Sequence, residues 1–159
     1  MSDEPLQFGA AEIGVDYRHR PAAFGIARRD DGKIAMVKVT VEAQGTWFDL
    51  PGGGVDPGED DAQAVVREFG EETGLKVEPG ALVVRARQRF RQTDGSPVNN
   101  HSGHYVVEIR GEDAALKIEE DHELVWFSPE DALTRLRHDS HAWAVLSWLR
   151  ALDRFAARD

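Results

Sequence analysis

Two early segments of the chain consist mainly of apolar residues. Ala22–Arg28 and Lys33–Val41 are predicted strands on this pattern. Asp30-Asp31-Gly32 lies between them and supplies the residue types that tight turns favour. The pattern therefore predicts two strands joined by a turn. Residues 1–16 show no clear period, and we expect them to form a loose N-terminal arm.

Asp60–Thr73 follows a helical period, after a run of three glycines at 52–54. The apolar residues of this segment recur at i, i+3, i+4 and i+7 and form one stripe, made of Ala62, Val65, Val66 and Phe69. Gly74 follows directly, where a glycine commonly ends a helix. The spacing predicts an amphipathic helix over Asp60–Thr73.

Strand patterns return after this helix. Leu82–Gln92, Tyr105–Arg110 and Glu123–Phe127 are predicted strands, with turn chemistry at Thr93–Pro97. The polar segment Asn99–His104 is interpreted as a loop.

Two helices are predicted at the end of the chain. Ser128 is a suitable N-cap before Pro129, and a last amphipathic helix begins near Asp139. That helix carries Trp143, Leu146, Leu149 and Leu152 on its apolar face. Strands in both halves, with helices between and after them, predict one α/β domain over residues 1–159 with a mixed sheet covered by helices.

Composition narrows the classes of partner. The chain has 159 residues, 41% of them hydrophobic, which is enough for a core. Its net charge of −10 excludes a general nucleic-acid-coating or anionic-membrane surface, which needs an excess of Lys and Arg. A polyphosphate ligand still fits if a divalent cation mediates. The chain has no cysteine, which excludes disulfides, thiolate catalysis and Cys-based zinc sites.

Neither end of the chain shows the pattern of a targeting signal or a membrane-spanning segment. Met1–Glu4 is acidic where a secretory signal is basic, and no apolar segment follows. The apolar stretch Ala142–Ala157 is interrupted by Arg150, Asp153 and Arg154. We therefore expect a cytoplasmic protein without a membrane partner.

Three carboxylates share one face of the predicted helix. Glu68, Glu71 and Glu72 stand at i, i+3 and i+4, a spacing that costs a bare helix a few tenths of a kcal/mol per pair through repulsion. A divalent cation would reverse this cost, because hard cations bind clustered carboxylate oxygens. A solvated acidic face is the alternative interpretation.

The surrounding residues favour the metal interpretation. The chain fits the pattern G-x5-E-x7-R-E-U-x-E-E-x-G-U, where U is bulky and apolar, through Gly53, Glu59, Arg67, Glu68, Phe69, Glu71, Glu72, Gly74 and Leu75. Seven fixed residues match by chance with a probability on the order of 10⁻⁸ at a given position. The chain therefore resembles the Nudix hydrolases, and Trp47–Gly54 and Trp126–Glu130 are similar to the family's usual flanking segments. Phe69 stands where an aliphatic residue is typical.

The resemblance implies a fold and a reaction. The fold is an α/β/α sandwich, with the box helix on one side of a mixed sheet and C-terminal helices covering the other. The reaction is hydrolysis of a nucleoside diphosphate linked to another moiety, with Mg²⁺ as the cofactor and Mn²⁺ as a substitute. The implied partner is a small nucleotide, a nucleoside triphosphate or a nucleotide sugar, rather than a nucleic-acid polymer. A homodimer is left open.

The resemblance also implies roles for residues of the box. Glu68, Glu71 and Glu72 match the metal-binding carboxylates, and Gly52 matches a position whose carbonyl often joins them. Glu68 further matches the residue that activates the attacking water in some members, whereas others take this base from elsewhere. Arg67 is expected to orient a box glutamate, and Glu59 to tie the loop to the helix.

Charged residues outside the box are further candidates. Arg85, Arg87, Arg89 and Arg91 alternate in a predicted strand, so their side chains share one face. They are predicted either to bind the anionic substrate or to pair with carboxylates elsewhere. Several Nudix enzymes take a metal ligand or base from an acidic run like 119–123, so Glu120 and Glu123 are candidates, with a charged surface loop as the alternative.

Histidines and aromatic residues give weaker signals. His101 and His104 have no cysteine or carboxylate near them in sequence, which disfavours a zinc site. Trp47, Phe90 and Tyr105 are expected either to stack on a nucleobase or to belong to the core.

Two alternatives to a Nudix enzyme remain. A Nudix-fold module could sense a nucleotide without cleaving it, but non-catalytic members commonly lose box acids that this chain retains. An unrelated acidic Mg²⁺ or Ca²⁺ domain is disfavoured by the completeness of the pattern. Signatures that mark ADP-ribose or dinucleoside polyphosphate enzymes are missing after the box, where Arg91 and Gln92 stand.

Overall fold

Eight strands make up two sheets in the computed structural model, which describes residues 4–156. In chain order the strands are β1 (Leu6–Phe8), β2 (Arg18–Ala27), β3 (Ile34–Val41), β4 (Gly45–Asp49), β5 (Gly52–Gly54), β6 (Leu75–Arg91), β7 (Pro97–Glu112) and β8 (His122–Phe127). One sheet has the order β1-β6-β7-β2-β5 and the other β4-β3-β8. In the larger sheet, β1–β6 and β2–β7 are parallel, whereas β6–β7 and β2–β5 are antiparallel. The predicted mixed sheet is confirmed.

Within the same residues, the helices are α1 (Asp61–Thr73), α2 (Pro129–Arg135) and α3 (Asp139–Ala156), with a 3₁₀ turn at Ala114–Leu116. Asp60 caps α1 by accepting a hydrogen bond from the Gln63 amide, while the Gln63 side chain accepts one from the Asp60 amide. Such reciprocal capping stabilises a helix start by about 1 kcal/mol. The helix ends at Gly74, whose φ of 76° is left-handed. The predicted helix and its end are confirmed.

The alternation of β2 divides the core between two faces of the larger sheet. Ala23 packs in one cluster with Val65 and Phe69 of α1. Phe24 belongs to a second cluster, which includes Trp148 of α3 and residues of α2. Phe69 is fully buried, which stabilises the fold by roughly 1.5–3 kcal/mol. The expected arrangement, with α1 on one side and the C-terminal helices on the other, is confirmed.

The buried face of α1 is rotated relative to the predicted stripe. Val65 and Phe69 are buried as predicted, but Ala62 is exposed and Val66 is 43% exposed, and Ala64 is buried in their place. Small side chains explain the rotation, because Ala64 belongs to the same cluster as Ala23 and allows the helix to approach β2 closely.

The interpretation of Asn99–His104 as a loop is wrong, since this segment lies inside β7. It pairs with β2 in parallel and with β6 in antiparallel register, so its backbone groups are satisfied on both sides. The strand could not be predicted because the side chains of this segment are polar, so the alternation of apolar residues that indicates a strand is missing. β6 also begins earlier than predicted, at Leu75, and irregularities near Pro79 and Leu82 interrupt its pairing.

The expectation of a loose arm over residues 1–16 is not met at Leu6–Phe8. These residues form β1, which pairs with Ala86–Gln88 of β6, and Glu12 further along forms an ion pair with Arg91 at 2.8 Å. Residues 1–3 lie outside the described part of the chain. Backbone pairing at a sheet edge needs no side-chain periodicity over three residues, so the pattern could not show it.

Among the described residues, no helix is both long and apolar enough to cross a membrane.

Candidate active site

Two glutamates of α1 reach the same cleft. Glu68 and Glu72 are one helical turn apart, and both line a cavity of about 340 Å³ together with the glycines Gly52 and Gly53. A larger groove of about 750 Å³ runs beside Trp148, but it brings none of the predicted box residues together. The cleft at Glu68 and Glu72 is therefore the candidate active site.

Glu72 is buried and held at both carboxylate oxygens. Its Oε1 accepts a hydrogen bond of 2.8 Å from the Gly52 amide, and its Oε2 lies 3.0 Å from Nε2 of His122. Burial raises the pKa of Glu72, and the contact with His122 opposes that rise. His122 Nδ1 in turn lies 2.8 Å from Asp121. Burial lowers the pKa of His122, but the two carboxylates outweigh it and raise the pKa overall.

Glu68 lies directly against the backbone of β5. A Cβ added at Gly53 would lie 2.8 Å from Glu68 Oε1, so only glycine leaves room for this carboxylate. Gly52 needs the same freedom, because its φ is 146° and an added Cβ would lie 2.3 Å from the Ala23 carbonyl oxygen. Burial raises the pKa of Glu68, while Arg67 opposes the rise.

Arg67 joins the box loop to the helix. Its guanidinium donates to Glu59 at 2.8 and 2.9 Å, to Glu68 at 3.0 Å, to Glu71 at 3.2 Å and to the Gly54 carbonyl at 3.0 Å. The hydrogen bonds that Arg67 donates to Glu59 contribute most to raising the pKa of Arg67. Two box glutamates are thus oriented by one cation.

Glu71 differs from the other box glutamates in its surroundings. Its side chain contacts Arg67 and does not line the cleft. Its backbone carbonyl accepts hydrogen bonds of 3.0 Å from the amides of both Ile118 and Glu119. These two bonds fix the loop before β8 to α1.

The loop before β8 contributes acids to the cleft, but not those named from the sequence. Glu119, Asp121 and His122 line the cleft and bring ligand atoms within 4.8 Å of one another. Glu120 and Glu123 are exposed and outside this cluster. The two-residue period of a strand explains the difference at Glu123, because its neighbour His122 points to Glu72.

The structure does not bring the arginine row of β6 to the cleft. Arg85 contacts Asp61 and Tyr105, Arg89 donates to the Gly9 carbonyl at 3.2 Å, and Arg91 pairs with Glu12. Arg87 shares their face of β6 and does not line the cleft either. Much of this row therefore serves to attach the N-terminal segment.

Two other arginines, Arg20 and Arg137, line the cleft. Arg20 donates to Asn100 at 3.1 Å, and burial lowers its pKa while the charge of Glu68 opposes this. The sequence offered one signal for Arg20, since it lies at i, i+2 and i+4 spacing with Ala22 and Phe24 and therefore shares their face of β2. Arg137 lies in the turn between α2 and α3, where no pattern marks it.

The aromatic and histidine candidates separate in the structure. Trp47 and Phe90 line the cleft, whereas Tyr105 hydrogen-bonds to Asp61 elsewhere. His101 packs edge-on against His19 with ring centroids 4.0 Å apart. His104 is fully buried on the opposite face of β7, so the two histidines do not form a pair.

The donor set of the cleft fits a hard divalent cation. Glu68, Glu72, Glu119 and Asp121 offer carboxylate oxygens, the ligands that Mg²⁺ prefers. Gly53 provides the space in which the carboxylate of Glu68 rests against the backbone. The raised pKa values of Glu68 and Glu72 show that burial destabilises their negative charge, which a bound cation would compensate.

Comparison with known proteins gives a consistent result. A family model described as the NUDIX domain matches residues 18–149. The chain is 35% identical over 105 residues to the CTP pyrophosphohydrolase of Escherichia coli (strain K12), covering 65% of this chain and 72% of that protein. It is 25% identical over 115 residues to an RNA pyrophosphohydrolase of Sphingopyxis alaskensis, covering 66% of this chain and 72% of that protein. Among solved structures, a NUDIX hydrolase from Nitrosomonas europaea has a similar fold, with a TM-score of 0.71 at 18% identity over 84% of this chain and 90% of that one.

Proposed function

The chain belongs to the Nudix hydrolase family and acts on diphosphate bonds, and from this premise we propose that it is a Mg²⁺-dependent pyrophosphohydrolase of nucleoside triphosphates. The observation that carries the proposal is the pair of buried carboxylates, Glu68 and Glu72, in a cleft that also contains Arg20. The similarity to a CTP pyrophosphohydrolase supports a triphosphate over a nucleotide sugar.

Glu68 and Glu72 would hold the metal, together with the Gly52 carbonyl and with Glu119 or Asp121 from the loop before β8. Mn²⁺ would substitute, since it takes the same oxygen ligands. When bound, the ion supplies neutralisation of the polyphosphate and activation of water. Glu71 remains a candidate ligand from the family pattern, although its side chain rests on Arg67.

Glu68 is the proposed general base. Its Oε1 accepts from Arg67, whereas its Oε2 accepts no hydrogen bond from any described residue. Oε2 is therefore the atom that takes the proton of the attacking water. Burial raises the pKa of Glu68, which makes its carboxylate a stronger base. A general base contributes about 10²–10⁴-fold to the rate.

The neighbouring residues bind the phosphate groups of the substrate and position the carboxylates of the box. Arg20 provides a guanidinium for the phosphate oxygens, and its partial burial strengthens that contact. Arg67 and Glu59 hold the box loop on α1, and His122 and Gly52 fix the carboxylate of Glu72. These contacts organise the cleft before a ligand enters.

A nucleotide-sensing module is the alternative function. It would retain the fold and bind a nucleotide without turnover. The retention of Glu68, Glu71 and Glu72 disfavours it, because non-catalytic members of the family commonly lose box acids. A cytoplasmic location and a homodimer stay predictions of the sequence.

A phosphate-release screen tests the proposal. CTP, GTP, ATP, UTP, UDP-glucose, ADP-ribose and an RNA with a 5′-triphosphate are each incubated with the protein and Mg²⁺, Mn²⁺ or EDTA. Inorganic pyrophosphatase converts the pyrophosphate released from the triphosphates to measurable phosphate. For UDP-glucose and ADP-ribose, alkaline phosphatase takes its place and releases phosphate from the monoesters that hydrolysis forms. We expect metal-dependent turnover of at least one triphosphate.

Matched variants identify the carboxylates. Glu68→Gln and Glu72→Gln should abolish most of the turnover, whereas Glu123→Gln changes an exposed glutamate outside the cleft and should leave it intact. Equal turnover by all three variants would contradict the assignment. No turnover of any nucleotide by the wild type, combined with measurable binding, would favour the sensing module.

A further inference from the structure

Arg137 packs against two aromatic rings of the cleft. Its guanidinium carbon is 4.7 Å from the ring centroid of Trp47 in β4 and 5.5 Å from that of Phe90 in β6. Its backbone amide donates to the Phe48 carbonyl at 2.9 Å, which anchors the turn between α2 and α3 to β4. The side chain is thus held at the cleft by stacking and by its own backbone.

Asp49 fixes the orientation of this guanidinium within its plane. Nε of Arg137 lies 3.3 Å from Oδ1 of Asp49, and Nη2 lies 2.9 Å from Oδ2. The Asp49 side chain is 14% exposed and that of Arg137 is 30% exposed, so the carboxylate is the more buried partner of this pair. The contact uses the lateral edge of the guanidinium and two of its five N–H groups.

The end edge of the guanidinium remains unused. One N–H of Nη1 and the second N–H of Nη2 point in parallel along this edge, as the planar geometry of arginine requires. No described residue accepts a hydrogen bond from Nη1. An arginine that is braced by a carboxylate and packed against two aromatic rings offers this edge to a ligand that lies in the same plane.

Two parallel donors require two adjacent acceptors on the ligand. Cytosine offers N3 and O2, and guanine offers O6 and N7. In uracil a donor separates the two carbonyl acceptors, and in adenine each accessible ring acceptor lies beside an amino donor. Resting on the hydrolase function proposed above, we propose that Arg137, braced by Asp49 and packed against Trp47 and Phe90, selects nucleotides whose base is cytosine or guanine.

A phosphate group would also accept from this edge, and the two occupants differ in their consequences. An arginine that hydrogen-bonds to the base gives different affinities for nucleotides that carry the same phosphates. An arginine that binds phosphate raises the affinity for all of these nucleotides equally. Discrimination is therefore the quantity to measure.

Discrimination among the bases can be measured without turnover by calorimetric titration of the full chain. The ligands are CMP, GMP, UMP and AMP, each with and without Mg²⁺. We expect CMP, GMP or both to bind at least about tenfold more tightly than UMP and AMP, which is the discrimination that a bidentate arginine provides. The CMP and GMP titrations distinguish the two bases. Equal affinities for all four nucleotides, or binding of none, would overturn the proposal.

Arg137→Lys keeps the positive charge but removes the parallel donors, so the preference should fall to below about threefold while UMP and AMP bind as before. Arg29→Lys is the matched control. Arg29 pairs with Asp31 at 3.1 and 2.8 Å and stacks on Trp126 at 4.4 Å, but it lies outside the cleft. An equal loss of affinity for all four nucleotides in Arg137→Lys would instead identify a phosphate contact and overturn base selection.

The affinities of the wild type test the proposal even if a variant fails to fold. They also separate it from the hydrolase function. Base selection without phosphate release would support the subsite and contradict hydrolysis, whereas phosphate release without base selection would overturn the subsite alone.

Discussion

His122 and Glu72 are fifty positions apart in the chain, and their side chains lie 3.0 Å apart in the cleft. Strand β8 carries the histidine and helix α1 carries the glutamate, so this contact joins the smaller sheet to the box helix. Asp121 lies 2.8 Å from the other ring nitrogen and orients the imidazole. The carboxylate of Glu72 therefore has one defined position before a metal binds.

His122→Ala should weaken metal activation, because Glu72 would lose the contact that orients it. We expect the Mg²⁺ concentration for half-maximal activity to rise by about 10- to 100-fold, as for other residues that orient metal ligands. His122→Gln should recover part of this loss, since its amide can still donate to Glu72. His19→Ala changes an exposed histidine outside the cleft and should match the wild type. An unchanged Mg²⁺ requirement in His122→Ala would show that Glu72 needs no positioning.

Gly53→Ala should reduce turnover without destabilising the fold. The new methyl group would lie 2.8 Å from Glu68 Oε1, so the carboxylate has to move from the position in which it accepts the proton. We expect kcat to fall by about 10- to 100-fold, since small misplacements of a reacting group cost this much. Gly111→Ala adds a methyl group where nothing lies within 4 Å and should leave kcat unchanged. Wild-type kcat in Gly53→Ala would contradict the role given to Glu68.

Arg20 and Arg89 provide a test of which arginine binds the substrate. Arg20→Gln should lower kcat/KM by about 10- to 100-fold, the value of a hydrogen bond between charged groups. Arg89→Gln should leave kcat/KM unchanged, because Arg89 contacts the Gly9 carbonyl and lies outside the cleft. Steady-state kinetics on the best triphosphate measures both. The reverse result would return the substrate role to the arginine row of β6.

Stability should fall in mild acid because of buried histidines. Burial lowers the pKa of His104 to about 4, and His141, which lies against it with ring centroids 5.5 Å apart, is lowered for the same reason. The unfolded chain takes up these protons near pH 6.5, whereas the folded chain does not until about pH 4 for His104. The stabilisation is therefore complete above pH 6.5 and is lost as the pH falls towards 4, by about 3 kcal/mol for His104.

Denaturant unfolding at pH 7.0, 6.0 and 5.0 measures this loss. His104→Phe should show a shallower decrease over that range, because one buried protonation site is removed. His19→Phe changes an exposed histidine and should retain the wild-type slope. Identical slopes in all three proteins would show that His104 takes up its proton equally in the folded and unfolded chains.

The box helix could be predicted from the sequence because its determinants are local. The cap at Asp60, the end at Gly74 and the spacing of Glu68 and Glu72 all lie within a single segment. The rotation of its buried face could not be predicted, because it depends on Ala23 in a distant strand.

The remaining wall of the cleft depends on pairing between distant segments. Glu119 and Asp121 reach the cleft because the carbonyl of Glu71 fixes their loop, and an acidic run by itself does not show which of its members turn inward. Arg137 enters the cleft through a turn whose position is set by Phe48. The alternation of arginines in β6 correctly predicted that they share one face of the strand. The N-terminal segment partly covers that face, through Gly9 and Glu12.

The two amides that share the Glu71 carbonyl also limit how the cleft can open. They tie α1 to the loop before β8, and the bond from the Arg137 amide to the Phe48 carbonyl ties the α2–α3 turn to β4. The wall at Thr93 differs, because it is joined to the β3–β4 turn through the exposed side chain of Gln44. A ligand that enters or leaves past Thr93 would not change the spacing of the carboxylates. The protein could therefore release product while the carboxylates keep the positions that the reaction requires.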